Sequence, residues 1–362
     1  MVDLGAIRDN VADLRARVGA AQVMAVVKAD AYGHGLVPSA RAAVAGGATW
    51  LGVAFLEEAL ALRAAGLGTR VLAWLYSPAD DVAPAVAADI DLGVYSVAEL
   101  DRVVSAAEWL GRTARVQLKV DTGLSRGGCT PADWPELVEA AAKAQASGSV
   151  DVSGVWSHLA TSEDGPRHST NQEQKALFAQ ALEVARDLQP EVRHLANSAA
   201  LLTDPDTHYD LVRAGAAVYG LQPAPAFGDF GLRPAMSLRT EVALTKRVPA
   251  GQGVSYRHRY TTSAETTLAL VPLGYGDGVP RNATNAVPLQ IKGKRYTVAG
   301  TVAMDQLVLD VGDDDVVAGD EVLLFGASGP SALEWAEATG TIDYEIVTRV
   351  GARVPRTYVG EQ

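Results

Sequence analysis

From Val23 onward, short apolar runs alternate with longer stretches whose apolar residues recur at three- and four-residue spacing. The runs are VMAVVK (23–28), WLGVA (50–54), VLAWL (71–75), IDLGVYS (90–96), RVQLKVD (115–121), VSGVWSHL (152–159), VRHLANS (192–198) and LVRAGAAVYG (211–220). Rich in branched aliphatics and mostly too short for helices, they read as buried strands. Between them, VPSARAAVAGGA, FLEEALALRAAGLG, VAELDRVVSAAEWLG and NQEQKALFAQALEVARDL carry the helical period. Eight strand-plus-helix units predict an α/β fold, a (β/α)8 TIM-type barrel. An open doubly wound sheet is the competing architecture, but the G-x-G-x-x-G turn after its first strand is missing. The opening segment MVDLGAIRDNVADLRARVG has the pattern of an amphipathic helix rather than of a signal peptide.

Past Leu232 the helical period gives way to β-rich runs: AMSLRTEVALTKRV, TTLALVPLGYG, PLQIKGKRYTVAGTVAMDQLVLDVG and DEVLLFG. Gly293-Lys294, between two alternating runs, predicts a hairpin turn. SALEWAEATG is the one clear helix here, its Ser331 and Glu334 matching a capping box. The stretch 222–234, bearing proline and glycine, reads as a linker. The chain is therefore expected to divide into a barrel over 1–231 and a mostly β domain over 232–362.

Composition narrows the function. The 362 residues are 48% hydrophobic, and 31 basic residues stand against 43 acidic ones, a net charge of −12. An acidic protein is a poor partner for nucleic acid or an anionic membrane, and no apolar run reaches the roughly 20 residues of a membrane span. The lone Cys129 cannot form an internal disulfide, and a reducing cytoplasm is expected. Without CxxC, HExxH or a histidine pair at helical spacing, no metal site is expected.

A barrel of this kind places its chemistry at the C-terminal ends of its strands. The polar residues there are Lys28, Lys119, Asp121, His158, His194, Asn197, Ser198 and Arg213. Lys28 closes the run MAVVK, where low dielectric disfavours the ammonium and leaves an amine able to form a Schiff base. A solvated strand-end lysine is the other reading. Ser198 with Gly215-Ala216 offers a hydroxyl and backbone N–H groups to a phosphate, or else a helix cap and a tight-packing glycine.

The segment VVKADAYGHG (26–35) sets a lysine four residues before a tyrosine, with Gly33 and Gly35 on either side of His34. This order resembles the pyridoxal-phosphate attachment motif of the alanine racemases, a fold-type III family. The resemblance continues in family order through VDLGAIRDN (2–10), LKVDTGLSRGG (118–128), VWSHLA (155–160), HLANSAA (194–200), VRAGAAVYGL (212–221), GVSYRHRY (253–260), PLGYGDGVPR (272–281), AMDQ (303–306) and TIDYEIVTR (341–349).

The resemblance implies interconversion of L- and D-alanine on pyridoxal 5′-phosphate, supplying D-alanine for peptidoglycan. It implies Lys28 as the Schiff-base lysine and base for the D-enantiomer. Tyr256 would serve the L-enantiomer, reaching into the site of the other subunit of a homodimer. A single base fixed on one face cannot serve both enantiomers efficiently. Arg213 matches the arginine donating to the pyridine nitrogen, His158 a histidine near the ring and His194 one that supports the arginine. Tyr32, Ser198, the backbone of Gly215 and Ala216, and Tyr344 match the phosphate-binding set, with Asn197 beside it. Arg126 matches the arginine on cofactor and substrate carboxylate, and Met304 offers a backbone N–H from the partner subunit, with Asp305 and Tyr275 supporting that entrance. Lys119 matches a lysine often carbamylated, which would turn a cation into an anion able to orient Arg126.

Five positions depart from the family pattern: Asp30 stands for asparagine, Leu124-Ser125 for Met-Gly, Ala303 for cysteine and Ala216 for a larger apolar residue. None removes a chemical group from the mechanism, although Ser125 costs backbone freedom beside Arg126. A racemase of serine or of broader range is the alternative. A basic amino-acid decarboxylase of similar architecture would carry a catalytic cysteine in the β domain, where this chain has none. A non-catalytic pyridoxal-phosphate-binding barrel would lack that domain and its GVSY tyrosine.

Overall fold

The computed structural model describes residues 1–360. Eight parallel strands follow one another as Gln22–Val26, Trp50–Val53, Arg70–Ala73, Asp91–Val94, Ala114–Lys119, Val150–Trp156, Val192–His194 and Leu211–Ala214. The first seven pair successively with their neighbours in sequence, and the first also pairs with the eighth, Met24 opposite Arg213. At the remaining seam, Arg213 N–H donates to Ala196 O at 3.0 Å and Asp210 N–H to Arg193 O at 3.1 Å, which nearly closes the barrel. All eight predicted runs became these strands.

Alternation along the strands separates lumen from outer wall. Met24 packs with Trp50, Leu72, Val192 and Leu211 in a small cluster of its own. Its neighbours Val23 and Ala25 belong instead to the large core between strands and helices. The opening helix is Leu4–Arg17, capped by Asp3, whose carboxylate accepts from Ala6 N–H at 2.9 Å.

The rest of the chain builds two larger antiparallel sheets and a two-stranded ladder, Gly253–Val254 with Tyr260–Thr261. One orders its strands Leu238–Glu241, Glu321–Phe325, Pro288–Ile291 and Lys294–Thr297; the other orders Leu244–Val248, Thr266–Val271 and Leu307–Gly312. The hairpin predicted at Gly293-Lys294 turns one residue earlier. Ile291 pairs with Lys294, so the loop is Lys292-Gly293, both at positive φ. Two successive left-handed residues match the twist of the flanking strands, which fixes the register there. The capping box forms as predicted on helix Ala332–Thr339, with Glu334 N–H to Ser331 Oγ at 3.0 Å and Ser331 N–H to Glu334 Oε2 at 2.7 Å. That helix has a companion, Asp343–Thr348, too short to show a period in the sequence.

The two halves are stitched together. Val2 and Asp3 pair in parallel with Tyr358 and Val359, and Gln222 N–H donates to the Asp343 carboxylate at 2.8 Å. Among the described residues no helix is long and apolar enough to cross a membrane.

Candidate active site

Lys28 ends the first barrel strand and opens a turn of unusual hand. Ala29, Asp30, Ala31 and Tyr32 all have φ between 53° and 55°, a full turn of left-handed helix built without glycine. Such residues cost roughly 1–2 kcal/mol each, so the surroundings must hold the turn in place. Inside it, Ala31 N–H bonds Val27 O at 2.8 Å and Gly33 N–H bonds Ala29 O at 3.0 Å. From outside, the Glu58 carboxylate accepts from Ala29 N–H at 2.6 Å, and Asp30 accepts from Leu36 N–H at 2.7 Å. The aspartate that replaces the family's asparagine is therefore used as a clamp.

Around Lys28 the barrel gathers cations. Lys119 and Arg213 are buried at 6% and 4% exposure, and Arg126 lies on the loop that follows Lys119. None of these four cations forms a salt bridge among the described residues. Burial, then Arg126, lowers the pKa of Lys28, against an opposing pull from Glu58. Lys119 is pushed down to about 8 by burial and by Arg213 and Arg126. Asp121 pulls the other way without reversing the shift; its Oδ1 takes the N–H groups of Gly123 and Ser125 at 2.9 and 3.1 Å. Ser125 is held at φ 54°, so the family glycine it replaces would have had less strain at this turn. Aromatic rings line the cluster: Lys119 Nζ lies 4.6 Å from the centre of the Trp156 ring and Lys28 Nζ 6.0 Å from that of Trp74.

Arg213 is held from several sides. Its Nη1 donates to His194 Nδ1 at 3.0 Å, and its Nη2 faces Ser157 O, Leu195 O and His158 Nδ1 at 2.8 to 3.0 Å. Burial lowers its pKa to about 9, still cationic at neutral pH. His158 and His194 are kept neutral by burial and then by Arg213.

Beside them lies a small polar cradle. Ser198 Oγ accepts from Gly215 N–H at 2.8 Å and from Ala217 N–H at 3.3 Å, leaving its own proton free to donate. A Cβ on Gly215 would come 2.5 Å from the Tyr32 hydroxyl, so only glycine admits that hydroxyl. The Tyr344 ring centre lies 6.1 Å from that of Tyr32. Asn197 is spent on structure: its Oδ1 caps helix Ser198–Thr203 through Ala200 N–H at 3.1 Å, and its Nδ2 donates to Ser162 Oγ at 2.7 Å. The cap sets the direction of Ser198.

Tyr256, Met304, Tyr275 and Asp305 form a separate group on the β half. Tyr256 is 67% exposed, on a turn whose neighbours Ser255 and Arg257 have φ of 58° and 62°. Thr301 Oγ1 donates to Tyr256 O at 2.8 Å, and Gly276 N–H to Met304 O at 2.8 Å, so these loops are bonded into one surface. Asp305 pairs with Arg353 at 2.8 Å. The charged groups that act on Lys28 are Arg126 and Glu58, both in the barrel half. The aromatic lining and the residues Glu58, Tyr95, Gln117 and Asp91 were not read from the sequence. Gln117 was within reach, because it stands two residues before Lys119 on one strand and so shares its face.

A cavity of about 440 Å3 is lined by His34, Tyr219, Gln222, Phe325 and Leu333, among others, but by none of the four cations. It is not this site. His34 nevertheless matters for stability, since burial depresses its pKa to about 4. A histidine held neutral contributes stability that is complete above its unfolded value near 6.5 and is lost as pH falls toward 4. His34 alone contributes about 3 kcal/mol by this route, and His158 and His194 act in the same direction. The thermal midpoint should therefore drop steadily between pH 6.5 and 4.5, whereas a midpoint flat across that range would contradict neutral burial of these rings.

Two family models cover this architecture: the alanine racemase N-terminal domain matches residues 2–223 and the alanine racemase C-terminal domain residues 235–358. An alanine racemase from Frankia casuarinae is 60% identical, across 99% of this chain and 95% of its own length. The solved alanine racemase of D-cycloserine-producing Streptomyces lavendulae superposes with a TM-score of 0.98 at 54% identity, covering 100% of this chain and 96% of that one. The alanine racemase of Streptomyces coelicolor gives 0.98 at 53% identity, covering 99% and 97%. With both halves matched and identity sustained along the full length, the chain belongs to the alanine racemase family.

Proposed function

We propose that this chain interconverts L- and D-alanine with pyridoxal 5′-phosphate, as a cytoplasmic homodimer with shared sites, supplying D-alanine for peptidoglycan. The barrel over 1–231 would hold the cofactor and the β domain over 232–362 would lend Tyr256 to the partner subunit. The observation that carries this reading is the group of Lys28, Lys119, Arg126 and Arg213 without a paired carboxylate. Four cations gathered in this way, two of them buried, call for anions, and a phosphate and a carboxylate supply them.

The residues fit the cofactor. Tyr32, Ser198, the backbone of Gly215 and Ala216, and Tyr344 would hold the phosphate, where Gly215 leaves room for the Tyr32 hydroxyl and Ser198 has a proton to give. Arg213 Nε, which has no hydrogen-bond partner among the described residues, would face the pyridine nitrogen. When bound, pyridoxal phosphate supplies an electron sink that acidifies the substrate Cα. Lys28, its pKa lowered by burial and by Arg126, takes or returns the proton on the D face. Tyr256 does the same on the L face from the other subunit. Arg126 binds the substrate carboxylate, and the Met304 N–H of the partner marks the entrance.

Lys119 fits the role of a carbamylated lysine: with a pKa near 8 it carries a sizeable neutral fraction at neutral pH, the form that reacts with carbon dioxide. The purified protein should racemise L-alanine faster than L-serine or L-lysine in a coupled assay, and no turnover of any of the three would sink the proposal. Equilibration with 13C-bicarbonate should give a carbamate NMR signal that Lys119→Arg lacks.

A further inference from the structure

We propose that Gln117 and Asp91 are positioning residues for Arg213, acting along the inner wall of the barrel by fixing which nitrogen of His194 carries its hydrogen. The proposal rests on Arg213 belonging to the site described above.

A carboxylate only accepts. Of the two ends of the Gln117 amide, the NH2 must therefore face Asp91 Oδ2, 3.1 Å away. Its oxygen is then turned to His194 Nε2 at 2.8 Å, and an oxygen facing a ring nitrogen requires the hydrogen to sit there. In a neutral ring, Nδ1 is left with a lone pair, which accepts from Arg213 Nη1 at 3.0 Å. Reversing the amide would point an NH2 at Nε2, move the hydrogen to Nδ1 and set it against the guanidinium N–H. The pattern thus runs from Asp91 through Gln117 and His194 to Arg213 without a free choice along the way.

Asp91 is a firm starting point. It is fully buried and also accepts from Arg70 Nη2 at 2.8 Å, Arg115 Nε at 2.9 Å and Ser153 Oγ at 2.6 Å. Burial alone would raise its pKa, but the Arg70, Ser153 and Arg115 bonds outweigh that and keep it ionised. Trp156 stacks on the His194 ring at 5.4 Å with planes 4° apart, which fixes the plane of the imidazole. The arrangement serves Arg213 by giving one Nη a defined acceptor, while Ser157 O, Leu195 O and His158 occupy the other.

Histidine 15N shifts of the labelled holoenzyme test this directly. The native protein should show the His194 hydrogen on Nε2 alone. Gln117→Met, similar in length and without a polar end, should lose that preference and lower kcat roughly ten- to a hundredfold with little change in KM for alanine. Gln117→Glu, whose buried carboxyl must be protonated to face the ionised Asp91 and so donates there, still offers His194 an oxygen and should keep the Nε2 hydrogen. A native His194 protonated on Nδ1 would overturn the proposal, as would a Gln117→Met protein with unchanged tautomer and kcat. If Gln117→Met does not fold, the native tautomer and Gln117→Glu decide the matter. The tautomer is read without any turnover, so absent racemisation would defeat the functional reading and leave this inference intact.

Discussion

Lys28→Ala protein is expected to lose racemisation by a factor on the order of 10⁴ or more, and to lose with it the visible absorbance of covalently held pyridoxal phosphate. On the proposed assignment two roles vanish with one amine, attachment and proton transfer, so the effect should exceed that of losing a single general base. The fold should survive. The turn's clamps come from Glu58 and Asp30, and among the described residues Lys28 forms no salt bridge that its removal would break. A melting temperature close to native would separate lost chemistry from lost structure. Covalent cofactor retained in Lys28→Ala, or a rate within tenfold of native, would sink the assignment.

Tyr256→Phe is expected to reduce racemisation by about 10²- to 10⁴-fold, the usual contribution of one acid/base group. The two substrates are mirror images with an equilibrium constant of unity, so kcat/KM must fall equally in both directions. Isotope exchange breaks that symmetry. In D2O the variant should still wash the α-hydrogen out of D-alanine, whose face Lys28 serves, while L-alanine keeps its own. Equal washout from both would contradict the division of faces. Mixing this variant with Lys28→Ala under conditions of subunit exchange gives a second reading. If Tyr256 acts across the interface, half the dimers are hybrids with one intact site of two, and activity should recover to about a quarter of native. Sites built within a single chain would stay broken in every combination. The exposure of Tyr256 and its bonding into one surface with the Tyr275 and Met304 loops favour the first outcome.

Much of the fold was legible because burial leaves a periodic mark. Strands covered on both faces read as unbroken apolar runs, and all eight of them, like the opening helix and the Ser331 capping box, were visible on that basis. The hairpin slipped by one residue because Lys292 at φ 49° is a conformation its side chain does not advertise. The helix Asp343–Thr348 is shorter than two turns and leaves no period. Within the site, residues at strand ends could be picked out by type and place: Lys28, Lys119, His158 and Arg213. The network that holds them could not. Asp91 and Gln117 lie 26 residues apart on neighbouring strands and meet only once those strands pair, and Glu58 reaches the Lys28 turn from a helix 29 residues on. Such pairings are set by tertiary geometry, which no local window contains.

The left-handed turn after Lys28 has one more implication, concerning chirality. A φ near +54° with ψ between 43° and 52°, found at Ala29, Asp30 and Ala31, is the mirror image of the ordinary helical region, so it is where D-residues rest without strain. Exchanging Ala29 and Ala31 for D-alanine by chemical synthesis would relieve roughly 1–2 kcal/mol at each position while leaving every backbone bond of the turn in place. The segment that presents the reactive lysine thus holds two L-alanines in the geometry natural to the enantiomer that the proposed reaction makes.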